Sequence, residues 1–157
     1  MERRLNLKRG LGFSAVGLIM LAMHEGYSEK PYKDTGGVVT NGFGNATITP
    51  HKSVTVVEAL EDLKVNASRA GKGVLDCVHA PMTQGQYDSY VSFAYNVGVS
   101  KFCKSTMARK ANEGDLVGSC NEFDRWMFVA GRDCRIRSSN CRGIAKRRED
   151  EKKLCLS

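Results

Sequence analysis

The sequence lacks the features that divide a chain into repeats or linked modules. The 157 residues include only three prolines, and no internal repeat, low-complexity segment or long Pro- or Ser-rich linker interrupts them. These absences argue against a repeat protein and against a string of linked modules. A chain of this length can bury a core, so we expect residues 1–157 to form a single domain.

The sequence also lacks the patterns of metal and nucleic-acid sites. Its three histidines, His24, His51 and His79, have no second ligand at metal spacing, and its six cysteines form no C-x-x-C pair. We therefore propose no metal site and expect no cofactor. No zinc-finger, helix-turn-helix or RNP pattern is present, so we expect no nucleic-acid partner.

No hydrophobic run reaches the length of a transmembrane helix. The main apolar segment, from Leu11 to Met23, has about 13 residues, whereas a span needs about 20. With the basic residues MERRLNLKRG before it, this segment is similar to the start of a secretory signal, but no A-x-A-like cleavage site follows. We interpret residues 1–10 as a basic N-terminal extension and residues 11–24 as the first helix. A signal or signal-anchor role is the alternative.

Positive charge is in excess. The formal net charge is +7, and the segment from Arg132 to Lys153 carries nine Lys or Arg residues against four Asp or Glu residues, so 9 − 4 = +5. Such a charge attracts a protein to anionic polymers and surfaces. We therefore expect the C-terminal part of the chain to favour anionic partners.

Six cysteines are many for an intracellular protein of this size, and disulfides are the leading interpretation. Several connectivities are open. Our prediction pairs Cys134 with Cys141, Cys120 with Cys155, and Cys77 with Cys103. Because disulfides persist in oxidising compartments, the cysteine content predicts a protein that acts outside the cytoplasm.

The stretch HEGYSEKPYKDTGGVVTNGFG carries two carboxylates and a hydroxyl at close spacing. Glu25 follows a helix-compatible run and precedes Gly26, a residue type that often ends helices, so we place it at a helix C-terminal end. That end bears partial negative charge, which disfavours the ionised form of a carboxyl group. Glu25 is therefore the candidate general acid.

Asp34 and Thr40 lie on either side of a predicted turn. Asp34 precedes the turn signal TGG, and the strand-like VVT that follows ends at Thr40, so a hairpin brings the two residues together. A carboxylate and a hydroxyl that face one point can hold a water on the side of a sugar ring opposite Glu25. This arrangement is that of an inverting glycosidase.

The rest of the chain is predicted to be mainly helical. Capping-box patterns at Thr55 with Glu58 and at Thr83 with Gln86 predict helices over 56–68 and 84–96. Further helices are expected over 105–112, 115–128 and 142–154, and a β-hairpin region over 32–49. The predicted fold is α+β, with a small β-hairpin lobe (25–50), a larger α-helical lobe (51–157) and a cleft between them.

These motifs together resemble the phage lysozymes of glycoside hydrolase family 24. The spacing of Glu25, Asp34 and Thr40 is similar to that in the family's catalytic segment, and so are the motifs YKDTGG and TNGFG. Two later segments strengthen the resemblance: SFAYNVG, and GIAKRREDEKKLC, which is similar to the family's ending G-[LI]-x-x-R-R-x-x-E-x-x-L-C. The resemblance implies a lysozyme-like fold.

The resemblance also implies residue roles. Glu25 is implied as the general acid, Asp34 as base or electrostatic stabiliser, and Thr40 as the residue that positions the water. Inversion and retention both stay open, while the presence of both Asp34 and Thr40 favours hydrolysis over transglycosylation. Tyr95 and Asn96, at a helix end, are the candidates for substrate binding.

Two interpretations are open for Arg147 and Arg148 in the terminal motif. In one, either arginine is a charge partner that orients Glu25. In the other, both lie on a solvated basic helix face and pair with Glu151 at i+4 and i+3. The sequence does not choose between them.

The features together predict an endolysin that hydrolyses peptidoglycan and lyses the host cell. We expect a monomer that is made in the host cytoplasm and acts in the Gram-negative periplasm after release through holin lesions. Its basic C-terminal region is also expected to meet the anionic outer-membrane surface. The alternative is a cationic membrane-disrupting or wall-binding protein that cleaves no bond.

Overall fold

The computed structural model describes residues 11–157, and the predicted basic extension over residues 1–10 lies outside them. In chain order the elements are α1 (Ala15–Glu25), β1 (Ser28–Lys33), β2 (Val39–Gly42), α2 (Val56–Cys77), α3 (Gln84–Val97), α4 (Val99–Cys103), α5 (Thr106–Asn112), α6 (Leu116–Asn121), a 3₁₀ helix (Glu122–Trp126), β3 (Phe128–Val129), β4 (Arg132–Asp133), a second 3₁₀ helix (Arg137–Ser139) and α7 (Arg142–Cys155). A hairpin lobe thus lies between the first helix and a larger helical lobe. The predicted α+β architecture is confirmed.

Helix α1 begins after Ser14, later than predicted, because Ser14 caps it by accepting the backbone N–H of Gly17. Asp88 on α3 holds this cap through the Ser14 backbone N–H at 3.0 Å and through the Ser14 hydroxyl. The helix ends at Glu25, since Gly26 follows with φ +70, a backbone that favours glycine. Among residues 11–157, no helix combines the length and the apolar character needed to cross a membrane.

The hairpin lobe is a two-stranded antiparallel sheet in which Tyr32 pairs with Thr40. At its turn, the backbone N–H of Asp34 donates to the carbonyl of Val38 at 2.9 Å, and the N–H of Gly37 donates to the carbonyl of Asp34 at 2.9 Å. The predicted hairpin is therefore present, although its second strand is short. Asp34 lies at the turn end of β1.

Two buried asparagines hold the loop that follows β2. The Asn41 amide donates to the backbone carbonyls of Thr49 and Lys52 at 3.1 and 2.7 Å. The Asn45 amide donates to the side-chain oxygen of Asn41 and to the carbonyl of Ile48, both at 2.7 Å. These bonds satisfy backbone groups that have no strand partner, so the loop keeps one shape.

The helical lobe is built around α3, whose residues 86–94 are all buried. Helices α2 and α7 pack on either side of it. Both predicted capping boxes are present at the starts of α2 and α3. Helix α2 continues beyond the predicted end at residue 68, because buried positions at Ala70, Gly71 and Val74 extend its core-facing side.

The predicted helix over 115–128 is wrong in its second half. Helix α6 stops at Asn121, a 3₁₀ helix follows, and the chain then enters the β3–β4 hairpin at Phe128. Phe128, the last residue of the predicted helix, instead pairs with Asp133 in this hairpin, whose turn residues Ala130 and Gly131 have φ +49 and +77. The short helix α4 was not predicted either.

All three predicted cysteine pairs are at bonding distance. Their Cα atoms are 5.7 Å apart for Cys77–Cys103, 5.7 Å for Cys120–Cys155 and 4.8 Å for Cys134–Cys141. The first joins α2 to α4, the second joins α6 to α7, and the third closes the loop before α7. Helix α7, which carries the terminal motif, is therefore fastened at both ends.

Candidate active site

Glu25 is paired with an arginine from the other end of the chain. Its Oε1 accepts a hydrogen bond from Nη1 of Arg147 on α7 at 2.8 Å. The Glu25 side chain is 19% exposed, so it is open to a ligand yet largely shielded from water. Of the two arginines that the sequence left open, Arg147 is the one that contacts the acid.

Arg147 is held from behind by buried groups. Its Nε donates to Oε1 of Glu151 at 3.2 Å, and its Nη2 donates to the backbone carbonyl of Ser92 on α3 at 3.1 Å. The Ser92 hydroxyl donates to the same Glu151 oxygen at 2.7 Å. Because Arg147 and Glu151 are both buried, the solvated helix face is wrong, although the i+4 pairing is present. The network fixes the guanidinium with one donor on Glu25.

Arg148 directs its donors to other groups. Its Nη1 donates to Oε2 of Glu151, and its Nη2 donates to Oδ1 of Asn96. Its guanidinium carbon lies 4.8 Å from the ring centre of Phe93. Burial lowers the pKa of Arg148, and the negative charge of Glu151 opposes that shift. Arg148 is therefore, together with Arg147, one of the two positive charges that compensate the Glu151 carboxylate.

Gly44 brings the hairpin lobe against the acid. A Cβ atom at this position would lie 2.8 Å from Oε2 of Glu25, closer than real side chains approach. The residue also has φ +65, which favours glycine. Loop backbone therefore forms one wall of the space around the carboxyl group.

Asp34 and Thr40 occupy the hairpin in different environments. Asp34 is exposed, and its Oδ1 accepts the backbone N–H groups of Gly36 and Val38 at 2.9 and 2.8 Å. Thr40 is buried, and its hydroxyl donates to the Tyr32 carbonyl at 3.4 Å. Tyr32 is the register partner of Thr40, and Asp34 follows it by two residues, just beyond the end of β1. Within the described chain, the two side chains share no hydrogen bond.

Tyr95, near the end of α3, lies within electrostatic reach of the acid. Burial, assisted by the negative charge of Glu25, raises the pKa of the Tyr95 phenol to about 12, whereas Arg147 opposes the shift. The phenol therefore stays neutral at physiological pH and can donate a hydrogen bond. Its neighbour Asn96 is exposed, but its side-chain oxygen is engaged by Arg148.

His24 fastens the end of α1 to α7. Its Nε2 lies 3.1 Å from Oδ2 of Asp150, and Nζ of Lys146 lies 2.9 Å from the other oxygen of that carboxylate. Together with the pair of Arg147 and Glu25, these contacts dock two distant parts of the chain. The position of the acid thus depends on α7.

Comparison with known protein families shows to which family the chain belongs. A family model described as phage lysozyme matches residues 22–151, which include the acid, the hairpin and most of the terminal motif. The chain belongs to the phage lysozyme family. It is accordingly an enzyme of the lysozyme (muramidase) class.

Individual members of the phage lysozyme family are similar to this chain over most of its length. The SAR-endolysin of Bacteriophage PS119 is 32% identical over 134 residues, covering 84% of this chain and 76% of the relative. The probable prophage lysozyme of Escherichia coli strain K12 is 36% identical over 154 residues, covering 92% and 86%. Among solved structures, a variant of P22 lysozyme matches with a TM-score of 0.80 at 27% identity, covering 94% of this chain and 100% of that one.

Sequence reasoning missed three residues of the phage lysozyme site. Gly44 and Ser92 belong to the motifs TNGFG and SFAYNVG, so the segments were identified without the contacts that these residues make. Glu151 was identified as a pairing partner, but its complete burial was not expected. The letters R-R-x-x-E are equally compatible with a solvated helix face, so no local signal indicated that burial.

Proposed function

We propose that this phage lysozyme hydrolyses the β-1,4 bond between N-acetylmuramic acid and N-acetylglucosamine in peptidoglycan, with Glu25 as the proton donor. The observation that carries this assignment is the pairing of the partly shielded Glu25 carboxyl group with a buried Arg147, each of whose three nitrogens makes a hydrogen bond. Acid catalysis needs a carboxyl group whose proton and orientation are both controlled.

In this mechanism the Glu25 proton passes to the glycosidic oxygen while that oxygen leaves the anomeric carbon. The carboxylate that remains accepts the hydrogen bond of Arg147 at 2.8 Å, which compensates the new negative charge. Because Arg147 is already held by Glu151 and Ser92, it needs little reorganisation during the transfer.

Asp34 and Thr40 are proposed to supply the water. The Asp34 carboxylate takes a proton from a water that the Thr40 hydroxyl positions, and the water oxygen bonds to the anomeric carbon. Two backbone N–H groups on Oδ1 of Asp34 fix the orientation of the carboxylate. Among residues 11–157, no donor bonds Oδ2, so that oxygen is available to the water.

Tyr95 and Asn96 are proposed to contact the glycan. The neutral Tyr95 phenol lies near Glu25 and can donate to a sugar hydroxyl or N-acetyl oxygen. The bond from Arg148 occupies the oxygen of Asn96 and leaves its NH₂ group as the donor toward substrate.

Mass spectrometry of muropeptides released from purified Gram-negative peptidoglycan tests the proposal. Wild type is compared with Glu25→Gln and with the matched control Glu29→Gln, which neutralises an exposed carboxylate on β1. We expect reducing N-acetylmuramic ends from wild type and the control, and none from folded Glu25→Gln.

The other outcomes are equally informative. Anhydro ends would reassign the enzyme as a transglycosylase, and full release by folded Glu25→Gln would remove Glu25 from the mechanism. The non-enzymatic alternative requires lysis that survives Glu25→Gln and disappears when the cations of segment 132–153 are neutralised. The family relationship gives that alternative no support.

The stereochemistry of the product separates the two roles of Asp34. With Asp34 as a base acting through water, proton NMR of freshly released ends should show inversion at the anomeric carbon. Retention would instead make Asp34 the nucleophile, and Asp34→Asn would then prevent formation of a covalent intermediate.

We further propose that the enzyme acts in the periplasm as a monomer. Its three disulfides require an oxidising compartment. Two routes lead there: holin lesions, or export by the N-terminal segment. Expression without a holin distinguishes them, because disulfide-bonded protein in the periplasmic fraction requires self-export, whereas cytoplasmic retention requires the holin.

A further inference from the structure

The segment of residues 128–142, here called the stapled hairpin, forms a small rigid unit ahead of α7. Strands β3 and β4 pair Phe128 with Asp133 in antiparallel register, and the disulfide Cys134–Cys141 closes the loop that follows. Buried Cys134 packs with Met127 and Ala145 in a cluster separate from the main core. The unit is therefore held by covalent and packing contacts of its own.

The stapled hairpin exposes large apolar side chains. Phe128, Val129 and Ile136 are 49%, 44% and 56% exposed. Three such residues within nine positions form a concentrated apolar feature on an otherwise strongly charged segment. They add little to the small cluster beneath them, so core packing does not explain their type.

Cations surround these apolar residues. The stapled hairpin contains four arginines against one carboxylate, so 4 − 1 = +3; the arginines, all exposed, are Arg132, Arg135, Arg137 and Arg142. The carboxylate, Asp133, is occupied by Nε and Nη2 of Arg135 at 2.8 Å each. The other three cations have no carboxylate partner within the segment.

We propose that the stapled hairpin binds the surface of a membrane that contains anionic lipids. Apolar side chains enter the headgroup boundary of a bilayer, while arginines pair with lipid phosphates. The guanidinium of Arg135 lies 5.6 Å from the ring centre of Phe128, so a cationic and an apolar side chain lie in contact on this surface. A soluble polyanion would use the arginines alone and would leave the valine and isoleucine without a partner. The proposal does not depend on bond cleavage.

Sedimentation of the oxidised, full-length protein with lipid vesicles tests this surface. Vesicles of phosphatidylethanolamine and phosphatidylglycerol are compared with neutral phosphatidylcholine vesicles. The charge variant is Arg132→Gln/Arg137→Gln/Arg142→Gln. Its matched control removes three exposed cations from α2, in Lys64→Gln/Arg69→Gln/Lys72→Gln. Both variants change the net charge by the same amount.

A second pair of variants tests the apolar contribution. Phe128→Ser/Ile136→Ser is compared with Val57→Ser/Val117→Ser, which removes two valines exposed elsewhere, by 66% and 63%. All of the substituted side chains are exposed, so folding should be retained. Hydrolysis of purified sacculi should stay at the wild-type level in each variant.

We expect wild type to bind the anionic vesicles and not the neutral ones. The hairpin charge variant should weaken binding by about 100-fold, and the α2 control by less than about fivefold. The hairpin apolar variant should weaken binding by about tenfold, and its control should not. Equal losses for a variant and its control would overturn the proposal, as would equal binding to neutral vesicles. Loss of sacculus binding with unchanged vesicle binding would reassign the surface to the cell wall.

Discussion

Nη1 of Arg147 lies 2.8 Å from Oε1 of Glu25, across a separation of 122 residues in the chain. The bond joins the last residue of the first helix to the last helix. It couples the position of the acid to the buried charges behind Arg147, which are Glu151 and Arg148. Substitutions in this network should therefore affect both the orientation of Glu25 and the stability of the fold.

Removing the cation should slow catalysis. In Arg147→Gln the Glu25 carboxyl group loses the donor that orients it. Loss of orientation should lower kcat by about 100-fold. The matched control Lys153→Gln removes an exposed cation from the same helix and should keep the wild-type kcat. An unchanged kcat in a folded Arg147→Gln enzyme would contradict this role.

Removing the buried anion should destabilise the protein. In Glu151→Gln, Arg147 and Arg148 stay buried without the carboxylate that both of them contact, so we expect a loss of about 3 kcal/mol of unfolding free energy. The matched control Glu149→Gln loses an exposed charge on the same helix and should stay within about 0.5 kcal/mol of wild type. Urea unfolding of both variants measures the difference. Equal stability of the two variants would contradict a buried charge network around Glu151.

Gly44→Ala should inactivate the enzyme through contact with the acid. Its Cβ would lie 2.8 Å from Oε2 of Glu25. The control Gly114→Ala meets comparable backbone strain at φ +80 but has no atom within 4 Å. Both variants should lose about 1 kcal/mol of unfolding free energy. Sacculus hydrolysis should be retained only by Gly114→Ala, and equal activity in both would rule out the contact.

Alkaline pH should destabilise the fold through Tyr90. Burial raises the pKa of Tyr90 to about 12, and its hydroxyl bonds the Ser119 hydroxyl at 2.7 Å. Because an unfolded tyrosine titrates near pH 10, this contribution is present below about pH 10 and is lost as pH rises to about 12. The loss should reach about 1 kcal/mol at pH 11.

Urea unfolding at pH 8 and pH 11 measures this effect. Tyr90→Phe should be about 1 kcal/mol less stable than wild type at pH 8, since it lacks the hydrogen bond. The deficit should shrink or reverse at pH 11, because phenylalanine does not ionise. Tyr32→Phe, at an exposed tyrosine, is the control. A deficit that stays constant with pH would contradict the assignment.

The two C-terminal disulfides should differ in their contribution to stability. Cys120–Cys155 closes a separation of 35 residues and Cys134–Cys141 one of 7. Loop-closure entropy predicts losses of about 4 and about 2 kcal/mol for the respective double Ala variants. Denaturant unfolding of both variants tests the ranking, and a larger loss for the shorter loop would contradict it.

Much of the fold was predictable because its signals are local. Capping residues and the TGG turn specify backbone conformation within a few positions, so the starts of α2 and α3 and the turn of the β1–β2 hairpin were located correctly. The end of α2 was predicted too early. The helix predicted over 115–128 continues too far, because no turn signal within it marks the change to a 3₁₀ helix at Glu122 or to a strand at Phe128.

The sequence by itself determined the lysozyme-like architecture, the family relationship and the three candidate catalytic residues, since these depend on residue type and spacing along the chain. Tertiary structure alone decided which arginine meets Glu25, that Glu151 is buried, and that Gly44 closes on the acid. The physical reason is that these features are contacts between distant segments. A helix pattern shows which residues share a face, but the partners packed against that face decide whether their charges are solvated or buried.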